Sequence, residues 1–142
     1  MSEQAAPRIL VADDDPVIVR LLEVNFRLEG YDVETASHGE ETIQKALEVG
    51  PELILLDVMM PGLDGWELCR RLKEDDGTAG IPVIFLSARA QEEDRKRGLE
   101  LGVVEYVTKP FDPGDLVGLV ARIIAGRRQA SDNGSTEPTR QA

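Results

Sequence analysis

The feature that most constrains this chain is a fivefold alternation of short apolar runs with segments of helical periodicity. The expected strands are Arg8–Ala12, Asp32–Ala36, Leu53–Asp57, Val83–Ser87 and Val103–Thr108. The first, third and fourth are nearly continuous apolar runs, as strands covered on both faces require. Between them, Val17, Leu21, Val24 and Leu28 follow helical spacing, and Gly30 ends that segment. Asp15 before Pro16 reads as its N-cap and first residue. Ile43, Ala46 and Leu47 share a face of a second helix stopped by Gly50-Pro51. Trp66, Cys69 and Leu72 mark a third helix, and the charged stretch Gln91–Leu101, closed by Gly102, a fourth. Leu116, Leu119, Val120 and Ile123 predict the buried stripe of a fifth.

Strictly alternating strands and helices imply an α/β fold, because right-handed crossovers place helices on both faces of a parallel sheet. The natural arrangement is a doubly wound five-stranded sheet of order 2-1-3-4-5. Ligands of such sheets sit at the carboxyl ends of the strands, near the point where the order reverses. From Gly126 the composition turns polar. Residues 1–125 are therefore expected to form one domain and 126–142 a disordered tail.

The strand ends carry the chemistry. The first ends in Asp13-Asp14-Asp15, the third in Asp57, the fourth in Ser87 and the fifth in Lys109. Strands one and three are neighbours in the expected order, so Asp13, Asp14 and Asp57 converge. Clustered carboxylates repel unless a proton or cation intervenes. Mg²⁺ suits them, since it takes one or two carboxylates, several waters and a phosphate, with Mn²⁺ as the alternative ion. The Ser87 hydroxyl and Lys109 ammonium complete a site for a phosphoryl group. Transfer of that group needs mainly positioning and charge neutralisation, and a carboxylate can serve as the covalent acceptor.

Here the sequence resembles the response-regulator receiver family of two-component signalling over roughly residues 7–125. Ile9-Leu10-Val11-Ala12-Asp13-Asp14-Asp15-Pro16 is similar to its acidic motif. Leu55-Leu56-Asp57-Val58-Met59-Met60-Pro61-Gly62-Leu63-Asp64-Gly65 is similar to its phosphoacceptor loop. Phe85-Leu86-Ser87-Ala88 and Tyr106-Val107-Thr108-Lys109-Pro110-Phe111 resemble its hydroxyl and lysine motifs. Each motif alone is weak; four in order, each ending the right strand, are specific. The resemblance implies a flavodoxin-like (βα)₅ fold and a switch phosphorylated on Asp57. It implies Mg²⁺ held by Asp13, Asp14, Asp57 and the Met59 backbone carbonyl, with Ser87 and Lys109 on the phosphoryl oxygens. It further implies that Ser87 and Tyr106 move on activation, that the Lys109–Pro110 bond is cis, and that Met59 and Arg89 tune the rate of hydrolysis. Arg89 lacks an acceptor group, and it could pair with the phosphoryl group or nearby acids.

The implied partners are a sensor histidine kinase or histidine phosphotransfer protein and a downstream protein target. Glu92-Glu93-Asp94-Arg95 followed by Gly98-Leu99-Glu100 resembles receivers of winged-helix transcriptional regulators. Against that subfamily, Val104-Glu105 stands at its acidic pair and Leu119 at its arginine, so a monomer or weak dimer is expected. The net charge of −11, with only Asp132 and Glu137 among the acids after residue 125, argues against direct nucleic-acid binding. Met1 to Pro7 has no basic flank or apolar stretch, and no apolar run is long enough to span a membrane, so a cytoplasmic location is expected.

Simpler roles compete at several positions. Asp15 and Asp64 suit helix caps or turns. Ser87 could cap the fourth helix, His38 a surface position, and Trp66 and the single cysteine, Cys69, the core. Two other functions also compete. Asp13-x-Asp15-x-Val17 matches the nucleophile motif of haloacid-dehalogenase-like phosphatases, which would make Asp13 the nucleophile of an enzyme. A pseudo-receiver scaffold would bind partners without phosphorylation, but the full acidic, hydroxyl and lysine set argues against it.

Overall fold

The computed structural model describes residues 6–136 apart from 61 and 63, with side chains to residue 130. Five strands, β1 (Arg8–Ala12), β2 (Asp32–Ala36), β3 (Leu53–Asp57), β4 (Val83–Ser87) and β5 (Glu105–Thr108), alternate with five helices. These are α1 (Pro16–Leu28), α2 (Gly39–Val49), α3 (Gly65–Glu74), α4 (Glu92–Glu100) and α5 (Pro113–Thr136). All strand pairs are parallel, in the order β2-β1-β3-β4-β5. The expected sheet order is therefore present. No helix among the described residues is long and apolar enough to cross a membrane.

Strand alternation divides the interior into two cores. Ile9, Val11, Leu53, Leu55, Ile84 and Leu86 face Leu22 and Phe26 of α1 and Leu116, Val120 and Ile124 of α5. Leu10, Ala12, Ile54, Leu56, Val83 and Phe85 face the other side, against Ala46 of α2 and Trp66, Leu68, Cys69 and Leu72 of α3. Because the apolar runs serve both cores, the strands need no polar face, which is why the alternation is invisible in their sequence.

The structure corrects several expectations. The face that α1 buries carries Leu22 and Phe26, whereas Val17, Val24 and Leu28 are exposed. Outside the charged face of Arg20, Glu23 and Arg27, this helix carries two neighbouring apolar stripes of the same period, and the sequence cannot choose between them. Leu47 of α2 is also exposed. In α5 the fully buried positions are Leu116, Val120 and Ile124, and Leu119 and Ile123 only pack partly against that core. The fifth strand starts at Glu105 rather than Val103, though the Val104 amide already donates to the Val83 carbonyl.

The expected boundary at Gly126 does not end the last helix, which continues to Thr136. Past that boundary, Arg127 donates to the Gly80 carbonyl (2.6 Å) and Arg128 pairs with Glu52. The remaining tail, 137–142, and the N-terminal residues 1–5 lie outside the described residues, as do Pro61 and Leu63 of the loop motif.

Two helix starts are fixed as the sequence predicts. Asp15 caps α1 by accepting from the Val17 amide (2.9 Å), and Asp64 caps α3 by accepting from the Glu67 amide (2.8 Å). His38 is not merely a surface residue, because its side chain caps α2. At Gly65 the chain passes directly over the loop after β3, and its amide donates to the Val58 carbonyl (2.8 Å). A Cβ there would lie 2.5 Å from the Val58 Cα and 2.7 Å from its carbonyl oxygen. Backbone on one side and a helix start on the other leave nothing flexible to yield. Gly65→Ala is therefore expected to destabilise the fold by about 2 kcal/mol or more. Urea denaturation checks this, and a change within about 0.5 kcal/mol would show that the loop relaxes freely.

Candidate functional site

The parallel register sets the strand ends side by side. Ala12 of β1 pairs with Leu56 of β3, Asp57 with Leu86 of β4, and Ser87 with Thr108 of β5. Three further backbone bonds extend the sheet just past the strands: Asp13 amide to Ala36 carbonyl, Val58 amide to Leu86 carbonyl, and Lys109 amide to Ser87 carbonyl. The functional side chains therefore grow from rigid backbone, although they come from four separate stretches of sequence.

Asp13, Asp14 and Asp57 each offer a carboxylate oxygen, and these oxygens lie within 4.8 Å of one another. Asp13 and Asp57 are buried and Asp14 is exposed. Lys109 reaches across from the far side of the sheet. Its Nζ donates to Asp13 Oδ2 at 2.9 Å and lies 3.7 Å from Asp57 Oδ2. The cluster is further anchored by backbone: the Asp15 amide donates to Asp13 Oδ1 (2.9 Å) and the Met59 amide to Asp57 Oδ1 (3.1 Å).

Three carboxylates facing one ammonium leave two negative charges uncompensated in a largely buried space. Burial raises the Asp57 carboxyl to about 6, and the charges of Asp13 and Asp14 push the same way. The Met59 amide and Lys109 oppose this only in part. On Lys109, burial alone would lower the ammonium's pKa. Its bond to Asp13, with the charges of Asp13, Asp57 and Asp15, outweighs that cost, so the net shift is upward and the ammonium stays charged. An all-oxygen donor set with a residual charge of two suits a hard divalent cation such as Mg²⁺.

Around this cluster the other expected residues take distinct places. Ser87 is fully buried, and its Oγ accepts from the Arg89 amide at 3.0 Å. It does not cap α4, where Gln91 holds the N-cap position without a side-chain bond. Tyr106 already lies inside, with its hydroxyl donating to the Arg89 carbonyl at 2.9 Å and its ring at a T-shaped angle to Phe85. Met59 is exposed beside Asp57. Arg89 points to an acid of α4: its Nε and a terminal nitrogen lie 3.1 and 3.0 Å from Asp94 Oδ1. Asp94 is buried and was not legible as special, because a carboxylate in the first turn of a charged helix reads as a solvated residue. The Lys109–Pro110 peptide is cis.

Residues 9–121 match the family model described as the response regulator receiver domain. The chain is 46% identical over 117 residues to the alkaline phosphatase synthesis transcriptional regulatory protein PhoP of Bacillus subtilis, spanning 82% of this chain and 48% of PhoP. It is 42% identical over 118 residues to the DNA-binding dual master transcriptional regulator RpaA of Synechocystis, spanning 83% of this chain and 49% of RpaA. The chain thus spans about half the length of the curated relatives it matches. Among solved structures, the receiver domain of the sensor histidine kinase PA1611 from Pseudomonas aeruginosa superposes with a TM-score of 0.78 at 30% identity. That alignment covers 85% of this chain and 99% of the other, whose active-site cleft coordinates a magnesium ion.

The electrostatics of the cluster generate a pH dependence. Asp57 is raised to about 6 in the fold against an ordinary value of 3.8. Between those limits the folded state binds more protons than the unfolded state, so stability falls as pH rises through that window. Above it the full penalty of the buried charge is present. Asp57→Asn is therefore expected to stabilise the metal-free protein at pH 7.5 by about 1–3 kcal/mol, with the gain fading below pH ~4. Thermal melts across pH read this directly. A gain that persisted unchanged at pH 3 would point to packing rather than charge.

Proposed function

The chain belongs to the response regulator receiver family, and on that premise we propose that Asp57 is its phosphoacceptor. Receivers of this family are phosphoacceptor switches of two-component signalling. That membership removes the dehalogenase-like reading in which Asp13 would be the nucleophile. The observation that carries the assignment is the position of Asp57: it ends the central strand, is buried among two other acids, and lies 3.7 Å from the Lys109 ammonium.

An oxygen of Asp57 attacks the phosphorus of a phosphohistidine or small acyl phosphate. The new P–O bond forms as the bond to the leaving group breaks, and the leaving group departs with the electron pair. Lys109 stays protonated and neutralises charge on the phosphoryl oxygens. The Ser87 hydroxyl donates to one of those oxygens while continuing to accept from the Arg89 amide, so its movement is transmitted to the loop that follows. Tyr106 supports that loop from behind through the Arg89 carbonyl. Asp13, Asp14, Asp57 and the Met59 carbonyl would hold Mg²⁺, or Mn²⁺ in its place. The bound ion supplies charge neutralisation at the phosphoryl oxygens. The chain turns over no external metabolite, and phosphorylation and dephosphorylation are self-catalysed.

The proposed donor is a sensor histidine kinase or histidine phosphotransfer protein in the cytoplasm, and the proposed output is a protein surface around α4, β5 and α5. The relatives' names refer to DNA binding and transcription. The net charge of −11 supports a reading in which this acidic chain makes no nucleic-acid contact itself. A monomer or weak dimer is favoured because Arg95 is already engaged within the chain. It donates to the Tyr106 carbonyl (3.0 Å) and stacks over the Tyr106 ring.

Incubation with acetyl phosphate and Mg²⁺ is expected to add one phosphoryl group by intact mass. Chelator or Asp57→Asn should abolish it. Labelling that survived both would overturn the site.

Met59 sits exposed beside the acceptor, where a water must approach in line for hydrolysis. It is bulky and cannot strongly orient that water. Met59→Asn is therefore expected to speed phosphoryl loss by about three- to tenfold, or roughly 1 kcal/mol of barrier. Decay of the phosphorylated form measures it, and an unchanged rate would remove Met59 as the obstruction. Arg89→Glu is unsuited to the same question, because it would set a second carboxylate against Asp94.

A further inference from the structure

Arg89 is held at three points. Its amide donates to Ser87 Oγ, its carbonyl accepts from the Tyr106 hydroxyl, and its guanidinium meets Asp94. The first two bonds fix the backbone in the turn between β4 and α4. Only the side chain retains a choice of direction, and Asp94 determines it. Asp94 is 6% exposed, an unusual burial for a carboxylate in the first turn of a helix whose other first-turn acids, Glu92 and Glu93, are exposed. A buried carboxylate requires a partner, and among the described residues Arg89 is the cation paired with it.

The strand that leads into Arg89 is also the neighbour of the strand that ends at the acidic cluster. Arg89 follows Ser87 by two residues at the end of β4, and β4 lies next to β3, which ends in Asp57. The carboxylates of Asp13, Asp14 and Asp57 outnumber Lys109 there by two charges and attract any mobile cation. Glu92 and Glu93 offer only solvent-screened pairing. Resting on the site reading above, we infer that Asp94 is a positioning residue: it parks the Arg89 guanidinium on α4 and keeps it from competing with Mg²⁺ for the acidic cluster. Arg89 then affects the site mainly through where it is held. The same pair ties the turn that senses the phosphoryl group to the first turn of α4.

The test is a Mg²⁺ titration of the unphosphorylated protein, followed by NMR at the amides of Asp13, Asp14 and Met59. It compares wild type, Asp94→Ala, Arg89→Ala and the double variant, with thermal melts to establish that each is folded. Asp94→Ala is expected to weaken Mg²⁺ binding by about three- to tenfold. The double variant is expected to recover to within about twofold of Arg89→Ala, since no guanidinium remains to intrude. A purely structural role for Asp94 would leave the double variant as weak as Asp94→Ala, and that result would overturn the inference. So would an Asp94→Ala protein that binds Mg²⁺ as the wild type does. A wild type that binds no Mg²⁺ would overturn the site reading itself, and this inference with it.

Discussion

The contact on which the rest of the site depends is the bond from the Lys109 ammonium to Asp13, 2.9 Å long and spanning the ends of non-neighbouring strands. A buried carboxylate with no cation would be protonated or would unfold its surroundings. Lys109 gives the buried Asp13 carboxylate a hydrogen-bonded cation, yet stands farther from Asp57, at 3.7 Å. That asymmetry divides the two buried acids. Asp13 has a built-in counter-ion, whereas Asp57 is left with its carboxyl raised to about 6 by burial. Asp57 is thus the buried acid with the weaker internal partner.

This arrangement is stable only because the backbone bears its cost. Amides of Asp15 and Met59 hold the two carboxylates in orientation, and the sheet bonds just beyond the strands prevent their separation. The two packed cores beneath supply the free energy that an uncompensated charge consumes, in the manner of functional sites that trade stability for reactivity. Gly65 belongs to the same economy of space, since its missing side chain lets α3 start directly against the loop carrying Asp57. The turn between β4 and α4 is organised differently. There Arg89 joins Ser87, Tyr106 and Asp94, so the Ser87 hydroxyl and the first turn of α4 share one residue. A displacement at Ser87 cannot leave α4 unaffected while those bonds persist.

The architecture was largely legible because each strand is a separate apolar run bounded by turn residues. Four of the five strands occupy the expected residues, and the acidic and lysine positions converge as their strand ends require. Where local pattern left the outcome open, packing decided it. In α1 the residues Val17, Leu21, Val24 and Leu28 have the same helical period as Ile18, Leu22 and the partly buried Asn25, so periodicity was satisfied twice. Packing against α5 and the sheet chose the stripe ending in Phe26. Polar composition beyond Gly126 likewise suggested disorder, but Arg127 and Arg128 within α5 find carbonyl and carboxylate partners at the base of the sheet.

By itself the sequence determined the order of elements, the sheet topology and the identity of the residues at the strand ends. Those follow from local patterns: apolar runs, caps such as Asp15 and Asp64, and the rule that parallel crossovers share one hand. The tertiary structure alone decided which stripe of α1 is buried, that Asp94 is buried rather than solvated, and that Arg89 turns toward it. It also decided that Lys109 stands closer to Asp13 than to Asp57. These outcomes depend on ångström-scale distances between residues far apart in the chain. Burial and Coulomb energy depend on such distances and not on sequence spacing, so no local pattern could record them.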